Sequence, residues 1–234
     1  MSVSSKSLFH FTNEMANLVN ILKDGFFWPI YCPEVDKEKK NNIHAYAFPM
    51  VCFCDIPLSQ ISEHTKDYGF YAIAMSKEWA KSKGVSPVIY YSGKDSLLIR
   101  LYTRNEKLIS SKDKALWFAL LKKYRGKTWS CKEQNYIMKV LYNEREWRYI
   151  PQNIPYKDLY MQVKYNEFSG KAVSDNTRQY GLSFSYDNIR YIILKEEKER
   201  EVFLEKLNEI ISDDMIKKLI CSKILTFEQI KEDF

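Results

Sequence analysis

Ser7-Leu-Phe-His-Phe-Thr12, followed by Asn13, the run 14–24 and Gly25, sets the reading of the fold. Aromatic and polar residues alternate over the first stretch, the pattern of a short strand with Phe9 and Phe11 on one face and His10 and Thr12 on the other. Asn13 then reads as a helix cap. Met15, Leu18, Val19 and Leu22 recur at helical spacing, and Gly25 supplies the C-terminal stop. Strand, helix and glycine open the chain in that order.

Working outward, residues 26–50 carry Pro29, Pro33, Pro49 and the tract Lys39-Lys-Asn-Asn42, an irregular pattern that predicts a long loop of the kind that covers sites. Met50-Val-Cys-Phe-Cys-Asp55 predicts a strand, Pro57-Leu-Ser59 a helix entry and Phe70-Tyr-Ala-Ile-Ala-Met75 a second strand. A short helix from Ser76 stops near Gly84, and Pro87-Val-Ile-Tyr-Tyr91 is a third strand. Leu97, Leu98, Leu101, Leu116, Leu120 and Leu121 predict a helical insertion at about 95–135. Strands return at Glu146-Trp-Arg-Tyr-Ile150, Gly181-Leu-Ser-Phe184 and Ile189-Arg-Tyr-Ile-Ile-Leu194. A charged amphipathic helix over about 196–211 and a short terminal helix end the chain. With no internal repeat and no strict βαβ alternation, the class is α+β.

A chain of 234 residues, 45% hydrophobic, buries a proper core, and one domain over 1–234 is expected. No run of eighteen or more apolar residues occurs, and the first residues lack the apolar core of a signal peptide, so no membrane partner and a cytoplasmic location are expected. The five cysteines have no framework spacing and read as free thiols. Cys52-Phe-Cys54 has no second Cys/His pair to complete a metal site and reads as small residues packed in a strand. The net charge of +6 permits a nucleic-acid or nucleotide partner without requiring one. The short basic clusters 37–40 and 122–127 read as solvated loops or helix ends.

Two constellations carry chemistry. His10 and Thr12 set two hydrogen-bonding side chains between aromatics on one strand, and a buried polar face needs partners that a ligand can supply. In Tyr142-Asn-Glu-Arg-Glu-Trp-Arg-Tyr-Ile-Pro151, alternation puts Glu144, Glu146 and Arg148 on one face and Arg145, Trp147 and Tyr149 on the other. Partial burial of Trp147, Tyr149 and Ile150 would hold Glu146 rigid and ionised beside Arg148. A fixed carboxylate suits cleavage of an N-glycosidic bond, whose oxocarbenium-like transition state gathers positive charge on the ribose. Ser59, at a strand-to-helix turn, and the aromatic run around Tyr68 and Tyr71 are the remaining candidates, the aromatics as stacking platforms for a planar ring. Neither a carboxylate cluster with a histidine nor a Cys/His pair stands out, which leaves metal-dependent nuclease and thiol chemistry without support.

Leu8-Phe-His-Phe-Thr12 with Ile21-Leu-Lys-Asp-Gly25, then Phe48-Pro-Met-Val-Cys-Phe-Cys-Asp-Ile-Pro-Leu-Ser59, Tyr68-Gly69 and Glu144-Arg-Glu-Trp-Arg-Tyr-Ile-Pro151, resemble the AbiGi family of bacterial abortive-infection proteins. The opening, with Asn17-Leu-Val-Asn-Ile-Leu-Lys-Asp-Gly25, is also similar to DarT-type ADP-ribosyltransferases. That second resemblance implies an ADP-ribosyltransferase-like fold of two small packed sheets with flanking helices. It further implies NAD as cofactor held by His10 and Thr12, Glu146 acting at the nicotinamide ribose, and Tyr68 or Tyr71 against the nicotinamide. ADP-ribose would then go to a nucleic acid or protein acceptor, or NAD would simply be cleaved. DarT-type enzymes also use an arginine in the first half of the chain, where this sequence has none before Arg100. The AbiGi resemblance implies the antitoxin half of a two-gene phage-defence system, a non-catalytic antitoxin or sensor that binds a nucleotidyltransferase-like toxin or a phage protein.

Overall fold

The computed structural model describes residues 5–39, 42–93, 96–130, 133, 135–164 and 175–233, with mixed α and β structure throughout. Cys131 and part of the 37–40 cluster lie outside the described residues, and nothing is described of the side chains at 35–45. The chain forms two compact units, one of residues 1–27, 52–85 and 182–234 and the other of 28–51 and 86–181.

In the first unit the opening strand is Ser7–Thr12, and it pairs antiparallel with Tyr71–Ser76 over its whole length, from Ser7 opposite Ser76 to Thr12 opposite Tyr71. Ile189–Leu194 lies antiparallel on the far side of Tyr71–Ser76, and Ile224–Thr226 runs parallel to Ile189–Leu194. Opposed residues in a ladder share a face. Phe9, Ala72, Ala74 and Ile193 thus meet Ile61 of the helix Ile61–Tyr68 and Ile230 of the helix Phe227–Asp233. The opposite face carries Leu8, His10 and Thr12. His10 and Phe53 pack there with Phe27, and Trp79 closes on both phenylalanines. Covered on both sides, Tyr71-Ala-Ile-Ala-Met75 is buried at every position, which is why it reads as a continuous apolar run rather than an alternating one.

The first helix, Met15–Asp24, ends as its sequence predicts, at Gly25 in the left-handed region (φ 70°) with its N–H returned to the Ile21 carbonyl. Its N-cap is Glu14 rather than Asn13, and no side chain caps it. Asn17 instead donates to Thr12 Oγ1 at 2.9 Å, tying the helix back to the strand. A second glycine, Gly69 (φ 97°), ends the helix Ile61–Tyr68 against the backbone of Thr12 and Asn13, where a Cβ would lie 2.3 Å from the Thr12 carbonyl oxygen.

The second unit corrects the expectation for residues 26–50. Their described residues are mostly strand: Ile30–Lys39 and Asn42–Cys54 make a long antiparallel hairpin, pairing from Ile30 opposite Met50 to Lys39 opposite Asn42 with a register shift between Val35 and Lys37. Met161–Lys164 pairs with the long strand at 44–47 only. Pro49 therefore sits beyond that second ladder, where a missing N–H costs nothing on that side. Pro33 and Pro49 occupy strand positions here rather than an irregular segment.

Helices occupy Leu97–Asn105 and Ser111–Leu120, as the leucine spacing predicts, but strands occupy Leu121–Lys123 and Arg125–Ser130 within the stretch expected to be helical. Leu121–Lys123 pairs in parallel with Ile89–Tyr91, and Arg125–Ser130 pairs antiparallel with Asn135–Val140. The two helices are thus the crossover that a parallel pair requires. Glu146–Tyr149 pairs with Ser86–Pro87, and the Val88 N–H donates to the Glu146 carbonyl. Toward the end of the chain the charged helix is Arg200–Ile210. The expected short terminal helix is two, Asp214–Cys221 and Phe227–Asp233, with a strand between them.

Gly69→Ala tests the close approach to Thr12. Left-handed strain and the clash with backbone together are expected to cost about 3 kcal/mol in urea unfolding, whereas Gly93→Ala, with open space around its Cβ position, should cost far less.

Candidate functional site

The strand Glu146–Tyr149 turns its charged face inward and its aromatic face part-way outward, the reverse of what its composition suggests for a surface strand. Arg148 is 1% exposed and Glu146 6%. The guanidinium grips the Glu146 carboxylate with two donors, Nε to Oε1 at 2.8 Å and Nη2 to Oε2 at 2.9 Å. Its remaining capacity goes to the Ala119 carbonyl, at 2.6 Å, and to Glu34 of the hairpin. Lys122, itself buried, donates to Glu146 Oε2 and to Glu144 Oε2 at 2.7 Å, and Lys139 donates to Glu144 Oε1 at 3.0 Å. Three cations thus face three carboxylates in one connected cluster.

Local geometry brings the carboxylates together. Glu144 closes the short turn Leu141–Glu144, and Arg145 follows at φ 44°, the one non-glycine residue with positive φ among the described residues. Such a conformation persists only where its surroundings over-determine it. Here both flanking carboxylates are held by Lys122, and the Glu146 N–H donates to Tyr90 Oη at 3.0 Å. Burial on its own would raise the pKa of Glu146. Arg148 and Lys122 outweigh it and hold the carboxyl far below its ordinary value of 4.5. Glu144 is lowered in the same way, with Lys122 the main opposing charge, and the Lys122 ammonium is pushed well above 10.5 by the three glutamates.

The expected ionised, rigid Glu146 beside Arg148 is therefore present, and its carboxylate is buried and shared between Arg148 and Lys122. Lys122, read in sequence as part of a solvated basic cluster, is instead the hub of a buried one. Glu34 and Tyr90 were not legible as members: Glu34 sits beside Pro33 in a stretch that reads as loop, and Tyr90 is one aromatic among many.

The remaining candidates belong to the first unit. His10 is half-buried between Phe27 and Phe53, and its Nδ1 donates to the Cys52 carbonyl at 2.9 Å. Burial holds its pKa below 6.5 against the opposing pull of that hydrogen bond, so the ring is neutral at pH 7. Thr12 Oγ1 accepts from Asn17. Tyr71, opposite Thr12 in the ladder, donates its hydroxyl to Glu199 Oε1 at 2.7 Å, and Tyr68, 38% exposed, lies beside His64. Ser59 lines a cavity of about 350 Å³ with Lys6, Ser7, Leu58, Arg190 and Tyr191. Ser59 therefore sits at the Ser7 end of the opening strand and Tyr71 at the Thr12 end, roughly 17 Å apart at ordinary strand rise. His10, Thr12 and Tyr71 are brought together; Ser59 is not. Among the described residues no group of three metal-ligating side chains converges, and no helix is long and apolar enough to cross a membrane.

A family model described as "Putative abortive phage resistance protein AbiGi, antitoxin" matches residues 26–195. The chain belongs to the AbiGi family. It is also 29% identical to an abortive phage resistance protein AbiGi of Lactococcus lactis subsp. cremoris, over 89% of this chain and 99% of that protein. No solved structure matches the chain. The AbiGi match takes in the whole second unit with its charge cluster, and it begins after the strand that carries His10 and Thr12.

Lys122→Met leaves two buried carboxylates facing each other and is expected to cost about 3–5 kcal/mol in urea unfolding at neutral pH. In the native chain Glu144 and Glu146 have lower pKa values folded than unfolded. They contribute stability above about pH 4.5 and lose it as pH falls through their folded values. Without Lys122 those folded values rise, and protonation relieves the repulsion. The deficit of the variant should therefore narrow between about pH 7 and pH 4; an unchanging deficit would show that Lys122 acts by packing alone.

Proposed function

We propose that this chain is a non-catalytic antitoxin of an abortive-infection system, which neutralises a nucleotidyltransferase-like toxin by binding it. The observation that carries this reading is a stripe of leucines in the crossover of the second unit. Leu97 is 65% exposed, Leu101 47% and Leu108 84%. They fall at four- and seven-residue steps, so they share one side of the helix Leu97–Asn105 and its continuation. The other side is spent internally, with Tyr102 stacked on Trp117 and edge-on to Phe118. Contiguous exposed apolar side chains of this kind mark protein-binding surfaces. Full burial of an exposed leucine contributes about 1.5–3 kcal/mol, and each of these gains the share of it that its exposure leaves. The family's description as an antitoxin points the same way.

The alternative, an NAD-dependent ADP-ribosyltransferase using His10, Thr12 and Glu146, asks Glu146 to meet a ribose. Its carboxylate is 6% exposed as a residue and is already shared between Lys122 and Arg148. No arginine precedes Arg100 to take the early position of DarT-type enzymes.

Co-expression of this chain with a nucleotidyltransferase-like toxin from its own genome is expected to restore growth of the host. The double variant Leu97→Asp/Leu101→Asp should fail to restore it while unfolding at a temperature close to that of the native chain, since both side chains are exposed. Expression of this chain alone should be tolerated, and the purified protein should leave NAD intact. Toxicity of the chain alone, with NAD consumed and the consumption abolished in Glu146→Gln, would replace this reading by the transferase.

A further inference from the structure

The net charge of +6 is unevenly shared between the two units. Residues 28–51 and 86–181 hold 21 basic and 12 acidic residues, whereas the other unit holds 15 and 18, so the positive excess belongs wholly to the second unit. Part of it lies on the crossover segment that carries the exposed leucines. Arg100, Arg104 and Lys107 are all exposed, and among the described residues no ion pair or hydrogen bond engages any of their side chains. Spacing interleaves them with the leucines. Arg100 lies three residues from Leu97 and four from Arg104, and Arg104 lies three from Leu101 and Lys107 and four from Leu108. Steps of three and four put side chains next to each other on a helix. Glu106, the one acidic residue of 97–108, stands at neither step from any of these positions.

We propose that the ridge of Leu97, Leu101 and Leu108 docks an acidic protein face, an apolar groove rimmed by carboxylates, with Arg100, Arg104 and Lys107 set against the rim. On the antitoxin reading, on which this rests, that face belongs to the toxin. Guanidinium groups suit such a rim because their planar donors match carboxylates two at a time. Cations that have no internal ion pair to break come to it at little cost. Two other acidic surfaces fit less well. A single-stranded nucleic acid stacks its bases on aromatic side chains, but Tyr102, the aromatic residue of the segment, is spent on Trp117 and Phe118. An anionic lipid surface takes a helix whose cations lie opposite its apolar face, whereas Arg104 falls between Leu101 and Leu108, where acyl chains would have to cover it. A protein groove with carboxylates at its edge meets leucine and arginine from the same side. Rim charges of this kind act mainly on the rate of encounter, while the apolar contacts hold the complex.

Stopped-flow association of the full chain with the purified nucleotidyltransferase-like toxin of its own genome, in NaCl from about 50 mM to about 500 mM, tests the assignment. The association rate constant is expected to fall about ten-fold or more across that range. Arg100→Glu/Arg104→Glu should slow association about ten-fold or more at low salt and leave dissociation nearly unchanged. Arg100→Lys/Arg104→Lys, which keeps the charge, should associate at close to the native rate. Leu97→Ala/Leu101→Ala should do the opposite of the reversal, speeding dissociation while keeping the salt dependence of association. All of these positions are exposed, and an unfolding temperature near that of the native chain identifies each variant as folded. Toxin binding at a rate indifferent to salt and to Arg100→Glu/Arg104→Glu would overturn the acidic face and leave the antitoxin reading standing. Absence of toxin binding by the native chain would overturn both. Phosphatidylglycerol vesicles and a short single-stranded oligoribonucleotide serve as competing arms. Capture of either without the toxin, lost on charge reversal, would overturn the proposal in favour of a phosphate surface.

Discussion

Burial of Arg148 and Lys122 in the second unit is the constraint to which much of that unit answers. A guanidinium at 1% exposure and an ammonium at 8% cannot stay inside a protein without matching charge. Glu34 must therefore come from the hairpin, Glu144 from the turn and Glu146 from the strand that also carries Arg148. The Ala119 carbonyl at the end of the crossover helix accepts from the guanidinium as well. Hairpin, crossover, turn and strand meet at one point. A cluster of this kind contributes less to net stability than to uniqueness, since any displaced element would leave a buried charge without its counterion.

The same cluster shapes what the unit offers to a ligand or partner. Glu146 is turned inward, which closes the carboxylate best suited to ribose chemistry. Glu34, at the outer end of the chain of charges, is the member that reaches a cavity, and its orientation is set from behind by Arg148. The cavity lining draws Ser111, Lys114, Ala115 and Phe118 from the helix Ser111–Leu120, and the exposed Leu97, Leu101 and Leu108 are not part of it. In the first unit polar groups are spent differently. His10 Nδ1 donates to the Cys52 carbonyl and Thr12 Oγ1 accepts from Asn17.

Local signals in the sequence were reliable wherever a residue acts through its own backbone or its nearest neighbours. Alternation in Ser7-Leu-Phe-His-Phe-Thr12, helical spacing from Met15 to Leu22, the stop at Gly25 and the leucine pattern of the crossover all hold, because each expresses a period or a dihedral preference that no distant contact has to supply. The stretch 26–50 failed for a related reason. Pro33 and Pro49 are genuine breakers of local structure, and the ladder between the two long strands runs through both of them.

The sequence by itself determined the mixed α and β class, the opening strand-helix-glycine unit, the family and the proximity of Glu146 to Arg148, two residues apart on one strand. Tertiary structure alone decided which way that strand faces. Period-two alternation tells which residues share a face but not which face is buried, and the answer depended on Lys122, Lys139 and Glu34, which approach from other elements. A lysine in a basic run and a glutamate beside a proline carry no mark of burial in their own neighbourhood. Charge balance across the fold, a long-range condition, placed them inside.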